Sequence, residues 1–130
     1  MTATNPIDRM YDAFATGDVD TIRACFTPDA RVWHSFDGDA QDVATAAQAW
    51  EALFAHSQER TVGDIRRQAT ADGFVQQHMF ALRLPSGERK AWAVCIVVRI
   101  ENGLIARLDE YIDRAGALPV GEGTLATPGF

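Results

Sequence analysis

Two ionisable side chains stand where the surrounding pattern asks for apolar ones: His34, between Val32 and Phe36, and Glu110, between Leu108 and Ile112. Each belongs to a run with the two-residue period of a strand, on the face its apolar neighbours share. A carboxylate buried there without a partner costs several kcal/mol or stays protonated, so Glu110 needs a partner, a wet cavity or an altered protonation state. A histidine is its natural complement. If both strands line one cavity, a His34–Glu110 dyad places a proton donor and an acceptor around a bound molecule, as general acid–base catalysis requires. Each residue alone has a plainer reading, His34 as a satisfied core histidine and Glu110 as a solvated strand-edge charge. Two such anomalies in one small domain point to a site.

Positioning these residues falls to the elements around them. Asn5 can cap a helix that has Pro6 in its first turn and Ile7, Met10, Tyr11 and Phe14 on one face, with Gly17 ending it. Asp18 can cap a second, short helix with the stripe Ile22, Cys25 and Phe26, and Pro28-Asp29 is expected to form the following turn. Residues 30–36 alternate as a strand that the Asp37-Gly38-Asp39 run breaks. A third helix over residues 42–56 gathers Val43, Ala46, Ala47, Trp50, Leu53 and Phe54. Between residues 62 and 113 the period becomes strand-like, with turn signals at Asp72-Gly73, Pro85-Ser86-Gly87 and Asn102-Gly103, which predicts four antiparallel strands joined by hairpins. The strand over 91–100 is apolar on both faces and is expected to be the most buried. This order predicts an α+β domain over residues 1–113, with N-terminal helices on a strongly curved, mostly antiparallel sheet forming a cone, and a C-terminal tail over 114–130. The interior of a cone can hold a small ligand.

Composition removes several function classes. The chain has 130 residues, 47% of them hydrophobic, which is the scale of one domain. Its 12 basic and 18 acidic residues give a net charge of −6, with no basic run longer than two, which argues against nucleic-acid binding. No apolar run approaches the roughly 20 residues of a membrane span. The start lacks the basic head and apolar stretch of a signal peptide, so a cytoplasmic protein with reduced Cys25 and Cys95 is expected. His34, His56 and His78 are too scattered for metal-ligand spacing, and no metal or cofactor is expected. His78 shares a face with Phe74, Phe80 and Leu82 and reads as structural. Trp33, Trp92 and Tyr111 are assigned to the sheet face opposite His34 and Glu110, where they would need covering by a second copy of the chain, so a homodimer through the outer sheet face is expected.

The run Tyr11-Asp12-Ala13-Phe14-Ala15-Thr16-Gly17-Asp18 leading to Phe26-Thr27-Pro28-Asp29-Ala30, the strand Val32-Trp33-His34, and the closing Asn102-Gly103-Leu104-Ile105 to Asp109-Glu110-Tyr111-Ile112-Asp113 carry a resemblance. Over residues 6–113 the chain resembles the SnoaL-like branch of the nuclear-transport-factor-2-like superfamily, which also holds ketosteroid isomerase and limonene-epoxide hydrolase. The resemblance implies a cone with an interior pocket, usually without metal or cofactor, and often a dimer made through the sheet. It places His34 where ketosteroid isomerase has its catalytic aspartate, and Glu110 where limonene-epoxide hydrolase has an aspartate of its catalytic set. The isomerase's oxyanion-hole tyrosine falls on Met10, one residue from Tyr11, and its second donor on Val97; the hydrolase's arginine and second aspartate fall on Met79 and Ala81. Neither complete mechanism is carried over. The expected function is binding and acid–base conversion of a small apolar polyketide-, terpenoid- or steroid-like compound by an isomerase, cyclase or hydrolase. The alternative is a non-catalytic ligand-binding or dimerising module. Expected site residues are Glu110 and His34 as the catalytic pair. Tyr11, Phe14, Trp50, Phe54, Met79, Val97, Leu108 and Ile112 are expected to shape the pocket.

Overall fold

A computed structural model describes residues 5–116 and the backbone of residues 118 and 119. Helix α1, Pro6–Thr16, starts where the Asn5 side chain accepts the Ile7 amide at 2.8 Å and stops at Gly17, whose φ of 73° is the left-handed conformation glycine adopts freely. Asp18 caps α2, Val19–Ala24, through the Thr21 amide. Strand β1 then spans Phe26–His34. Phe26 and Pro28-Asp29 are therefore part of a strand, not of a helix stripe and a turn. The ladder tolerates Pro28, which has no N–H to give, because the register is irregular between Phe26 and Arg31. The short β2, Ala40–Asp42, pairs back on β1 and was not expected; three residues are too few for a periodic signal. Asp42 caps α3, Val43–Ala55, through the Thr45 amide. The strands β3 (Gln58–Ala69), β4 (Gly73–Arg83), β5 (Arg89–Glu101) and β6 (Leu104–Ile112) follow as hairpins with turns at the three predicted places.

The sheet order is β2-β1-β6-β5-β4-β3, open and mixed, because β1 runs parallel to β6 while the other pairs are antiparallel. The strand β7, Leu118–Pro119, pairs with β5 at Lys90 and Ala91, beyond the last β6 partner, Ile112. That strand lies within the segment expected as a tail; residues 117 and 120–130, the rest of it after Gly116, lie outside the described residues. The helices pack on one face of the sheet, giving the α+β cone. Ile7, Ile22, Val32, Ile96 and Ile105 are fully buried between the layers. Only one face is covered, so β5 corrects the expectation of burial on both sides: Val94, Ile96 and Val98 are buried, whereas Ala93 and Val97 are exposed. A bulge between Gly63 and Arg66, where Asp64 takes a φ of 52°, bends β3. No helix among the described residues is long and apolar enough to cross a membrane.

Gly73 opens β4, and a Cβ there would lie 1.8 Å from the Val98 carbonyl oxygen of β5. Any side chain must push the two backbones apart. Gly73→Ala is expected to lower stability by about 3 kcal/mol in denaturant unfolding; an unchanged midpoint would refute the close β4–β5 approach.

Candidate functional site

The parallel β1–β6 ladder pairs His34 directly with Glu110. Neighbours in such a ladder point to the same face, so register alone brings the two side chains together. Ser35 locks the register: its amide donates to the Glu110 carbonyl at 2.9 Å, its hydroxyl donates to the Ile112 carbonyl at 3.2 Å, and the same hydroxyl oxygen accepts the Ile112 amide at 3.0 Å. His34 Nε2 lies 3.5 Å from Glu110 Oε1, a contact slightly longer than a hydrogen bond, with the two side chains 15% and 21% exposed. That residual exposure opens into a cavity of about 330 Å³ enclosed by the sheet and the helices. Phe14, Trp50, Leu53, Phe80, Val94 and Leu108 supply much of its apolar wall. At the mouth Phe36 stacks on His34 with centroids 4.8 Å apart, and the Arg114 guanidinium lies 3.7 Å from the Phe36 ring centre.

The apolar wall sets the protonation states. Burial pushes the Glu110 carboxyl from the usual 4.5 up to about 7, so that near neutrality it is both present as a base and able to hold a proton. Burial is also the main influence lowering His34 from 6.5; Asp37 pulls it back up and Arg114 pushes it further down. Tyr11 is held well above its usual value, first by burial and then by the Glu110 charge, which keeps its hydroxyl protonated as a donor. An enclosed base at neutral pH beside a neutral imidazole can take a proton from carbon or from water while a donor faces the oxygen that becomes negative. Among the described residues no group of three or more His, Cys, Asp or Glu side chains converges as a metal site.

Of the pocket residues expected from sequence, Tyr11, Phe14, Trp50, Leu108 and Ile112 line the cavity with His34 and Glu110. Phe54 sits one layer back, edge-on to Phe14 at 5.2 Å and beneath the Arg60 guanidinium. Met79 and Val97 lie on the opposite sheet face, because they alternate with the inward-facing His78 and Phe80 and with Ile96 and Val98. Trp92 needs the reverse correction: it shares the inward row of β5 with Val94 and Ile96 and lines the cavity. Trp33 and Tyr111 do lie together on the outer face, 5.1 Å apart. His78, which reads as structural in the sequence, lines the cavity 5.0 Å from the Tyr11 ring. The available signal was a second polar residue in the same inward row: Gln76, which is completely buried and bonded to His78.

Solved structures with the same fold include an LEH-like epoxide hydrolase of M. tuberculosis, 19% identical over 83% of this chain and 80% of that one, with a TM-score of 0.69. A proposed polyketide cyclase of Pseudomonas putida is 22% identical over 88% and 94%, with a TM-score of 0.71. IdmH, a proposed polyketide cyclase of Streptomyces antibioticus, is 19% identical over 85% and 91%, with a TM-score of 0.73. No curated protein matches the sequence. At these identities the structural likeness speaks for the fold. The family model for the SnoaL-like domain matches residues 7–108, which includes α1, β1 and most of the sheet that carries the cavity, and the chain therefore belongs to the SnoaL-like domain family.

Proposed function

We propose that the chain binds a small, largely apolar carbonyl compound of polyketide, terpenoid or steroid type and moves a proton on it, as an isomerase, cyclase or hydrolase does. The observation that carries this reading is the 3.5 Å contact between His34 and Glu110 inside an apolar cavity. Ionised Glu110 takes a proton from the carbon beside the carbonyl and becomes a neutral acid. The electrons of that C–H bond move to the carbonyl oxygen, which accepts a hydrogen bond from the neutral His34 imidazole. Glu110 then returns the proton to a different carbon, completing an isomerisation, or the enolate carbon attacks a second carbonyl, whose π electrons move to its oxygen, and Glu110 gives its proton to that alkoxide as the ring closes. The same base can orient a water instead. Apolar walls suit this chemistry because they raise the base towards neutrality and strengthen the hydrogen bond to the developing oxyanion.

The outer face supports a second copy of the chain as partner. Val97 and Tyr111 are 39% and 48% exposed there, beside the half-buried Trp33 and Met79. We infer a homodimer through this face, leaving both cavities open. Light scattering should give twice the chain mass, and the double variant Val97→Asp/Tyr111→Asp should give a monomer that keeps its circular dichroism; a wild-type monomer would refute the dimer.

Exchange of the α-hydrogens of 2-tetralone in heavy water, followed by NMR, tests the proton transfer. The enzymatic rate should rise with pH and level off above about 7, the value of Glu110. Glu110→Gln should lower it by about 100-fold or more. Wild-type exchange no faster than buffer, or an undiminished rate in the variant, would leave a binding module as the better account.

Glu110 also predicts a pH-dependent stability. Because its folded-state value is raised from 4.5 to about 7, the proton binds the native state more tightly; the resulting stabilisation is full below pH 4.5 and is lost as pH rises through 7. Relative to Glu110→Gln, the wild type should lose up to about 3 kcal/mol between these limits. A difference between the two proteins that stays constant with pH would show an ordinary carboxyl.

A further inference from the structure

The buried polar row on β4 places one more donor at the cavity. Arg67 donates from Nε to Gln76 Oε1 at 2.8 Å and from Nη2 to the same oxygen, and Nη2 also donates to Asp8 of α1 at 2.7 Å. Arginine has no acceptor, so the Gln76 oxygen must face Arg67 and the Gln76 amide NH₂ must face the other way. That NH₂ lies 3.0 Å from His78 Nδ1. An amide NH₂ can only donate, so Nδ1 is the bare, accepting nitrogen and the ring proton sits on Nε2. Nε2 is buried and has no hydrogen-bond partner among the described residues. A native fold leaves few such donors unpaired, and each calls for a reason. His78 is 3% exposed and lines the cavity wall next to Tyr11, on the strand row that continues to Phe80.

We propose that the Asp8–Arg67–Gln76 chain fixes His78 as a neutral Nε2–H donor to the ligand, so that the cavity selects molecules presenting a carbonyl or enolate oxygen to β4. The inference rests on the proposed function for the ligand class, but the tautomer stands independently of it. Burial first, and the Arg67 charge second, lower His78 to about 4, so the ring stays neutral at working pH and acts by hydrogen bonding without giving up its proton. Nε2 is covered in the structure, and a ligand oxygen reaches it when neighbouring side chains, Tyr11 first among them, rotate aside. Gln76 and Arg67 are positioning residues: they act on the ligand only through the imidazole. The arrangement divides the work: Glu110 moves the proton, His34 on β1 donates to the oxygen as it becomes negative, and His78 on β4 already holds that oxygen in the resting ketone.

The test has two readouts. Long-range ¹H–¹⁵N correlation on the wild type should show His78 protonated at Nε2, and Gln76→Glu should move the proton to Nδ1, because a carboxylate accepts where the amide donated. Binding of 2-tetralone and of tetralin, the same bicycle without oxygen, is then compared by NMR titration. Wild type should prefer the ketone by about tenfold, the factor of one buried neutral hydrogen bond. Gln76→Glu and His78→Phe should abolish that preference while binding tetralin within about threefold of wild type, and His78→Gln, which restores an N–H, should recover part of it. A proton on Nδ1 in the wild type, a ketone that binds no better than tetralin or not at all, or a preference that survives in both folded variants overturns the proposal. The two readings fail separately: a His78-dependent ketone preference in a wild type that shows no exchange above buffer sinks the proton-transfer function alone, and exchange with a preference indifferent to His78 sinks this inference alone.

Discussion

The site depends on one register. β1 and β6 come from opposite ends of the domain and run parallel, which hairpins cannot produce; the chain must pass through α3 and three antiparallel strands before β6 can be laid beside β1. Once the ladder aligns Val32 with Leu108, His34 falls beside Glu110 without any further choice. A slip of one residue would turn one of the two side chains to the outer face. Ser35 guards against that slip with its amide and hydroxyl on Glu110 and Ile112, on strand ends that would otherwise fray.

Packing then converts position into chemistry. Phe14 sits at the centre of a ring cluster, within 6.3 Å of Tyr11, Trp50, Phe54 and Phe80. Those rings hold the cavity walls apart and keep water from the carboxyl, and the same lack of water that raises Glu110 lowers both cavity histidines. The two kinds of group answer pH in opposite senses. His78, depressed to about 4, contributes a stability that is full above pH 6.5 and lost as pH falls through 4, whereas the Glu110 contribution is lost as pH rises through 7.

Much of this was legible in the sequence because strand alternation is a local signal. His34 and Glu110 were found as polar residues in apolar rows, and the turns at Gly73, Gly87 and Gly103 announced three hairpins. Where alternation was overridden, the reading failed. Met79 and Val97 belong to the expected pocket only through the positions the family resemblance implies, although each alternates with inward neighbours; Trp92 is assigned outward against its own row. Pro28 suggested a turn because a bulge that accommodates a proline inside a strand has no sequence signature of its own. His78 reads as structural on a row with Phe74, Phe80 and Leu82 because its role depends on Gln76 and, through Gln76, on Arg67 of another strand. A tautomer is a property of partners, which no periodicity reveals.

Glu110 is the group on which the account stands. Its carboxyl can be followed by carbon-detected NMR across pH with selectively labelled glutamate, using Glu110→Gln to assign the signal. The account predicts a midpoint near 7. A midpoint near the ordinary 4.5 would mean a solvated carboxylate, and the apolar cavity would then hold no base tuned to neutral pH.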